Sequence, residues 1–234
     1  MTFADKVIQF NGQLEYTGEK LPAGIRIMNP FKELDQTIGI SELFYHKYYN
    51  DTNPRHIILG INPGRFGGGL TGIPFTDPKR LKSECDINYE GKMTHEPSSV
   101  FVYEAIHAYG GVEAFYRDFY INSLCPLGFT TIDAGGKEKN YNYYDSRELI
   151  HATNGFIIEN IRKQIGLGVA TDICFCFGTG KNESFLRKLN EEHCFFKRII
   201  ALEHPRFIMQ YKTATKQFYI DKYVAAFGEV NKLH

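Results

Sequence analysis

The sequence predicts an α/β fold, a three-layer αβα sandwich built around a central, mostly parallel four-stranded sheet. Four short, largely apolar runs, the first of them with several β-branched residues, are long enough for buried strands and too short for helices. Segments with helical spacing separate these runs, and strands joined through helices pair in parallel by right-handed crossovers, with helices on both faces. The four predicted strands are 55–61, 119–124, 172–177 and 197–202.

The segments around these strands are predicted mainly from hydrophobic periodicity and from helix-ending residues. Ser41 is the expected N-cap of the second helix. Residues 25–28 are expected to be extended, 78–96 show no clear pattern, and 130–143 are expected to form a surface loop. The predicted helices are 3–16, 39–50, 98–109, 112–117, 145–165, 183–190 and 213–227.

Length and composition favour one globular domain. The chain has 234 residues, of which 43% are hydrophobic, and no linker divides it. We therefore expect a single domain over 1–234, with residues 1–50 as a helical extension packed on it. No apolar run could span a bilayer, and the N-terminus lacks a signal peptide, so we expect a cytoplasmic protein without membrane contact, and a monomer.

Charge and cysteine usage exclude several classes of protein. Lys+Arg and Asp+Glu number 27 each, whereas a protein that coats nucleic acid non-specifically is normally basic; a local basic groove stays open. Five cysteines, an odd number, argue against a disulfide framework. Cys174 and Cys176 lie on the same face of a predicted strand and lack metal-site spacing, so we expect buried thiols, no metal and no cofactor.

A glycine-rich stretch after the first strand, Gly60 to Pro78, is the strongest local signal. Asn62 stands at the strand end, and Asn62-Pro63-Gly64 turns the chain sharply. Glycines at 67, 68, 69 and 72 would let the backbone approach a flat or anionic ligand closely, although a flexible connection is the plainer interpretation.

The other strands end in comparable residues, namely Asn122, the turn Gly178-Thr179-Gly180-Lys181, and His204. Ligands of parallel α/β sheets bind outside the carboxyl ends of the strands. The pattern therefore predicts a site at that edge.

Four segments resemble one enzyme family. GINPGRFGGGLTGIPF resembles the first motif of the single-strand-selective monofunctional uracil-DNA glycosylases, and NSLCPL resembles their Asn-x-Cys-Pro-Leu segment. FGTGK is similar to their Gly-x-Gly-basic turn, and His204-Pro205 to the start of their His-Pro-Ser-Pro-Arg loop. The resemblance covers about residues 55–225 and implies a DNA glycosylase that flips a damaged base into a pocket.

The resemblance implies catalytic roles for Asn62 and His204. Asn62 matches the position that holds the attacking water; an amide orients water but accepts protons poorly, so we expect a slow, dissociative reaction. His204 matches the donor to the departing base's carbonyl oxygen, a contact that can contribute about 3 kcal/mol. The structural alternatives are that Asn62 is a plain turn residue and that His204 is a core or loop histidine whose hydrogen bonds are made within the protein.

The same resemblance assigns base-binding and DNA-binding residues. Phe75 would stack on the flipped base, Asn122 would read its polar edge, and Gly64 would leave room beside C5 or offer its N–H. Lys181, at a predicted helix start, would hold a DNA phosphate. A core phenylalanine, a strand cap and a solvated lysine are the ordinary interpretations of Phe75, Asn122 and Lys181.

Two departures from the family pattern bear on substrate and strand preference. The duplex-wedging loop is replaced after His204-Pro205, where Arg206 or Phe207 would have to unstack the bases. Arg65 replaces the usual proline, and a cation there would favour a readily ionised base such as xanthine.

No lysine matches a Schiff-base nucleophile, so we expect base release without strand cleavage. One rival hypothesis is an inactive DNA-damage-binding module on the same fold. Another is a protein that binds a small nucleotide, although the glycine loop matches neither a dinucleotide fingerprint nor a P-loop.

Overall fold

The central layer of the protein is a parallel four-stranded sheet, as predicted. The structure is a computed structural model that describes residues 1–232. Helices flank this sheet, in which the strands lie in the order Phe119–Ser123, His56–Gly60, Ala170–Phe177 and Arg198–Leu202. Each predicted strand is present with its ends shifted by at most two residues. The strands are β2 (His56–Gly60), β3 (Phe119–Ser123), β6 (Ala170–Phe177) and β7 (Arg198–Leu202).

A second, antiparallel sheet corrects the prediction of a surface loop over 130–143. It consists of β1 (Ile25–Met28), β4 (Gly128–Ile132) and β5 (Glu138–Tyr141), in the order β1-β4-β5. β4 and β5 form a hairpin, and at its tip the Asp133 carboxylate accepts the N–H groups of Gly135 and Lys137. The residues of β5 are polar, so neither hydrophobic alternation nor burial marks them as a strand.

All seven predicted helices are present in the predicted order, and within residues 1–232 the structure adds four short helices that the sequence did not indicate. Residues 78–96, whose sequence shows no clear pattern, contain a helix that begins with Asp77 as N-cap. The helices are α1 (Phe3–Gly12), α2 (Pro30–Glu33), α3 (Gln36–Tyr48), α4 (Gly68–Thr71), α5 (Pro78–Cys85), α6 (Pro97–Tyr109), α7 (Val112–Asp118), α8 (Arg147–Gly166), α9 (Lys181–His193), α10 (Pro205–Tyr211) and α11 (Lys216–Phe227), with 3-10 turns at Thr213–Thr215 and Gly228–Lys232.

The N-terminal region differs from the prediction at the start of its second predicted helix. Ser41 is not an N-cap, because α3 begins at Gln36 and Ser41 lies buried within it, where its hydroxyl accepts a 3.1 Å bond from the Asn11 amide. Residues 25–28, which the sequence predicts to be extended, form β1 of the second sheet. Phe3 of α1 packs edge-on against Tyr120 of β3, with ring centroids 5.3 Å apart.

None of the helices within residues 1–232 is both long enough and apolar enough to cross a membrane.

Candidate active site

A cavity of about 340 Å³ opens at the carboxyl edge of the parallel sheet, where the sequence predicts a site. Asn62, which follows β2, and His204, which follows β7, both line it. Phe75 and Gly64 line it as well. Two side chains that are 142 positions apart in sequence thus meet over one cavity, because parallel strands carry their C-terminal residues to the same edge.

The Asn62 amide is fixed by the chain that leaves the β4–β5 hairpin. Its Nδ2 donates to the Tyr141 carbonyl oxygen at 3.2 Å, and its Oδ1 accepts from the Tyr143 N–H at 3.2 Å. A backbone N–H can only donate and a carbonyl can only accept, so these two bonds define which amide atom is oxygen. One lone pair on Oδ1 and one N–H on Nδ2 remain for a ligand.

His204 is held as a neutral ring with a defined tautomer. It is the N-cap of α10, and its Nδ1 accepts the Arg206 backbone N–H at 3.1 Å. Nδ1 must therefore be unprotonated, and the proton of the neutral ring sits on Nε2. Burial, with a smaller contribution from the Arg206 charge, lowers the pKa of His204 to about 4. The ring is therefore a neutral donor at physiological pH.

Phe75 presents a part-buried ring beside His204. Its ring centroid lies 5.7 Å from that of His204 and 5.4 Å from that of Phe177. Its φ of 53° is unusual for a large residue and costs on the order of 1–3 kcal/mol, which the surrounding turn must offset. Thr71 stabilises that turn, since its buried hydroxyl donates to the Thr76 carbonyl oxygen at 2.6 Å. A carbon substituent on Gly60 would lie 2.8 Å from the Phe75 ring, so only glycine fits there.

Glu96 is a functional candidate that sequence analysis missed. Its carboxyl lines the cavity, and a carbon added at Gly64 would lie 2.9 Å from its Oε1. Burial, with a contribution from the charge of Asp77, raises the pKa of Glu96 to about 7. It stands in the polar stretch before α6, where no spacing or motif marks it. Only the fold shows that the carboxyl reaches the glycine loop.

Asn122 does not line the main cavity. Its Nδ2 donates to the Tyr120 hydroxyl at 2.7 Å, and its Oδ1 accepts the Ser123 N–H at 2.7 Å. The side chain borders a small cavity of about 20 Å³ that shares the wall residues Pro63 and Pro74 with the main one. The structure therefore places Asn122 behind the site, with its Nδ2 and its Oδ1 each hydrogen-bonded to another group of β3.

Arg65 faces an adjoining groove of about 580 Å³ and not the main cavity. Its guanidinium lies 4.3 Å from the centre of the Phe66 ring and 3.9 Å from the Glu138 carboxylate. Its backbone N–H donates to Asn140 Oδ1 at 3.1 Å, so the hairpin also holds the glycine loop. Glu96 is one of the residues that line both spaces.

The three predicted DNA-binding residues lie around the mouth of the cavity. The segment after His204 is the short helix α10 and not a loop, and it brings Arg206 and Phe207 to the cavity wall. Phe207 is 42% exposed, and its ring centroid lies 5.5 Å from that of Tyr211. Lys181 is exposed at the first turn of α9, with its ammonium 5.6 Å from the ring of the cavity residue Tyr144.

Within residues 1–232, no group of three or more His, Cys, Asp or Glu side chains is arranged to hold a metal ion. Cys174 and Cys176 are buried thiols, as predicted, and burial raises the pKa of both.

Comparison with known proteins confirms the family. The sequence profile of the uracil-DNA glycosylase superfamily matches residues 46–228. The chain belongs to this superfamily. Among solved structures, the crystal structure of wild-type SMUG2 from Pedobacter heparinus is 72% identical, with a TM-score of 0.98 over 99% of both chains. No curated protein sequence matches the chain. The predicted resemblance to single-strand-selective monofunctional glycosylases is thereby confirmed, and the 72% identity extends it to the first 50 residues.

Proposed function

We propose that this protein is a monofunctional DNA glycosylase that hydrolyses the N-glycosidic bond of uracil or related deaminated bases during base excision repair. The observation that carries the proposal is the meeting of the Asn62 amide, the neutral His204 imidazole and the Phe75 ring on one cavity. An oriented amide, a positioned donor and an aromatic face are the groups needed to hold water, stabilise a leaving base and stack on it. Membership of the uracil-DNA glycosylase superfamily supports the same activity.

In the proposed reaction the base is flipped from the stack into the cavity and leaves as an anion. His204 donates from Nε2 to the carbonyl oxygen on which negative charge develops, which is the contact that lowers the barrier. The free positions of the Asn62 amide orient a water molecule, which then adds to the sugar cation. Asn62 accepts protons poorly, so bond breaking precedes water attack and the reaction is slow.

DNA binding is assigned to the mouth of the cavity. Arg206 and Lys181 would contact phosphates, and Phe207 would stack on or separate neighbouring bases. The net charge of zero implies that few phosphates are neutralised, so binding should be modest and sensitive to salt. Single-stranded or damaged DNA is the expected partner, because α10 replaces the loop that would wedge into an intact duplex.

Deaminated purines, including xanthine, belong to the proposed substrate range. Arg65 lies in the adjoining groove, so any help that it gives to an anionic base acts from beyond the cavity wall. Excision of xanthine relative to uracil by Arg65→Ala tests this finer proposal: an unchanged ratio removes Arg65 from base selection.

The proposal is tested by single-turnover excision from oligonucleotides that carry uracil, hypoxanthine or xanthine, single-stranded and in duplex. Base release should be detected as alkali-labile sites, with no nicking before alkali, because none of the described cavity residues is a lysine. His204→Ala should slow uracil release by about 10²–10³-fold and Asn62→Ala by at least about 10²-fold. His151→Ala is the matched control, since His151 is an exposed histidine on α8.

Two results would count against catalysis. Binding of uracil-containing DNA without base release would favour the alternative, an inactive damage-binding module. Nicking by the purified protein without alkali would contradict the monofunctional mechanism.

A further inference from the structure

We propose that Glu96 selects deaminated purines by donating a hydrogen bond from its carboxyl group to the purine N7. The inference rests on the proposed function, because it requires the base to lie in the cavity. It assigns to Glu96 a contact that uracil cannot make, since uracil has a C–H group at the corresponding ring position. Glu96 thus acts as a specificity residue, whereas Asn62 and His204 have the catalytic roles.

The contacts of Glu96 show which oxygen is free. The Ser99 hydroxyl donates to Oε2 at 3.2 Å, so this oxygen acts as an acceptor. Oε1 lies beside Gly64 at the cavity wall, which leaves it as the oxygen that carries the proton of the neutral acid. A side chain at Gly67 would overlap the carboxylate, and one at Gly64 would crowd it. The glycine loop therefore makes room for this carboxyl as well as for a base.

Burial favours the neutral form of the Glu96 carboxyl, and the negative charge of Asp77 adds to this effect. Asp77 accepts the Glu96 backbone N–H at 2.6 Å and is paired with Arg80 at 2.9 Å, and Arg80 also contacts His95 at 3.0 Å. Arg206 on α10 is the nearby cation that favours ionisation. No basic side chain in residues 1–232 lies within ion-pair distance of the Glu96 carboxylate. With a pKa raised to about 7, the carboxyl is protonated in a large fraction of molecules at neutral pH.

In a dissociative mechanism, a protein group that donates a hydrogen bond to the leaving base lowers the barrier more than a group that accepts a proton from water. The bond between C1′ and N9 breaks first, and its electron pair goes to the purine. A hydrogen bond to N7 stabilises that developing anion, so it acts in the step that limits the rate. Water then adds its hydroxyl to C1′, and the proton of that water neutralises the purine. Glu96 ends the cycle unchanged.

The test compares hypoxanthine with uracil on the same enzyme preparations. Single-turnover rates are measured from pH 5.5 to pH 8.5 for the wild type, Glu96→Gln and Glu96→Ala, and uracil release is the reference reaction that also shows that each variant is folded. Wild-type hypoxanthine release, relative to uracil release, should fall about tenfold between pH 7 and pH 8.5, as the donor is lost. Glu96→Gln should keep this ratio high and independent of pH, because an amide N–H donates at every pH.

Glu96→Ala should lower the ratio of hypoxanthine to uracil release at least tenfold at pH 6. 7-Deazahypoxanthine lacks the N7 acceptor. The wild type and Glu96→Ala should therefore release it from oligonucleotides at equal rates. Glu42→Ala, which removes an exposed glutamate of α3, is the matched control.

Three results would overturn the inference: equal losses on uracil and hypoxanthine in Glu96→Ala, a loss in Glu96→Gln as large as in Glu96→Ala, or an undiminished effect of Glu96→Ala on the 7-deaza substrate. Release of uracil but not of hypoxanthine by the wild type refutes the purine role of Glu96 and leaves the proposed function standing. Release of neither base refutes the proposed function itself.

Discussion

Replacing Glu96 with glutamine should stabilise the protein above pH 7 and change its stability little near pH 5. The pKa of Glu96 is raised in the folded protein from 4.5 to about 7. Between these values the folded state binds more protons than the unfolded state, so the contribution of Glu96 to stability falls as the pH rises. Above pH 7 the folded protein holds a carboxylate that the site disfavours.

The magnitude follows from the shift in pKa. Each pKa unit corresponds to about 1.4 kcal/mol, which gives about 3 kcal/mol for the complete change. Glu96 is part-exposed at the cavity wall, so solvent screening reduces the expected effect to about 2 kcal/mol. The unfolding free energy of Glu96→Gln minus that of the wild type should therefore increase by about 2 kcal/mol from pH 5 to pH 8.5.

Urea denaturation followed by circular dichroism at several pH values measures this difference. His204 titrates in both proteins, so subtraction removes its contribution. Glu42→Gln, on the exposed face of α3, controls for the loss of one negative charge. The reasoning would be refuted if the difference in unfolding free energy between Glu96→Gln and the wild type stayed constant from pH 5 to pH 8.5. A constant difference would mean that folding does not change the pKa of the Glu96 carboxyl.

Three further predictions concern the same cavity. Asn140→Ala removes the acceptor of the Arg65 N–H and should slow uracil release about tenfold without unfolding the protein, as checked by single-turnover rates and thermal denaturation; an unchanged rate would show that the hairpin does not position the glycine loop. Because the pKa of His204 is about 4, uracil release should show no loss centred near pH 6.5, and a pH–rate profile with such a midpoint would contradict the neutral ring. Gly67→Ala forces the Glu96 carboxyl to move and should lower the hypoxanthine to uracil ratio in the same assay, whereas a wild-type ratio would argue that the carboxyl has no role in selection.

The parallel sheet was predictable because its strands are largely buried and therefore appear in the sequence as apolar runs. β5 was not predictable, since Glu138–Tyr141 is a polar segment whose strand conformation comes from pairing with β4. The placement of Asn62 and His204 followed from topology alone, because both come directly after parallel strands. α10 was missed because its first-turn bond is accepted by an imidazole, which is not one of the common capping side chains.

The parts of the site that escaped prediction are contacts between distant segments. The atoms that orient Asn62 belong to the backbone at Tyr141 and Tyr143. Nearly every residue has the same backbone groups, so the sequence does not indicate which of them bind Asn62. Glu96 reaches the glycine loop only through the path of the chain before α6. The sequence predicts that Asn122 faces the ligand. In the structure its amide donates instead to the Tyr120 hydroxyl, two residues earlier, at 2.7 Å.

The His204 imidazole, which lines the cavity, also holds the first turn of α10. Protonation at Nδ1 would convert the acceptor of the Arg206 N–H into a donor and so release the start of the segment that carries Arg206 and Phe207. Below about pH 4, the segment that we propose to bind DNA would loosen in the same event that charges the proposed hydrogen-bond donor. In the proposed function, recognition of the damaged base and binding of the DNA strand would therefore both depend on the protonation of His204.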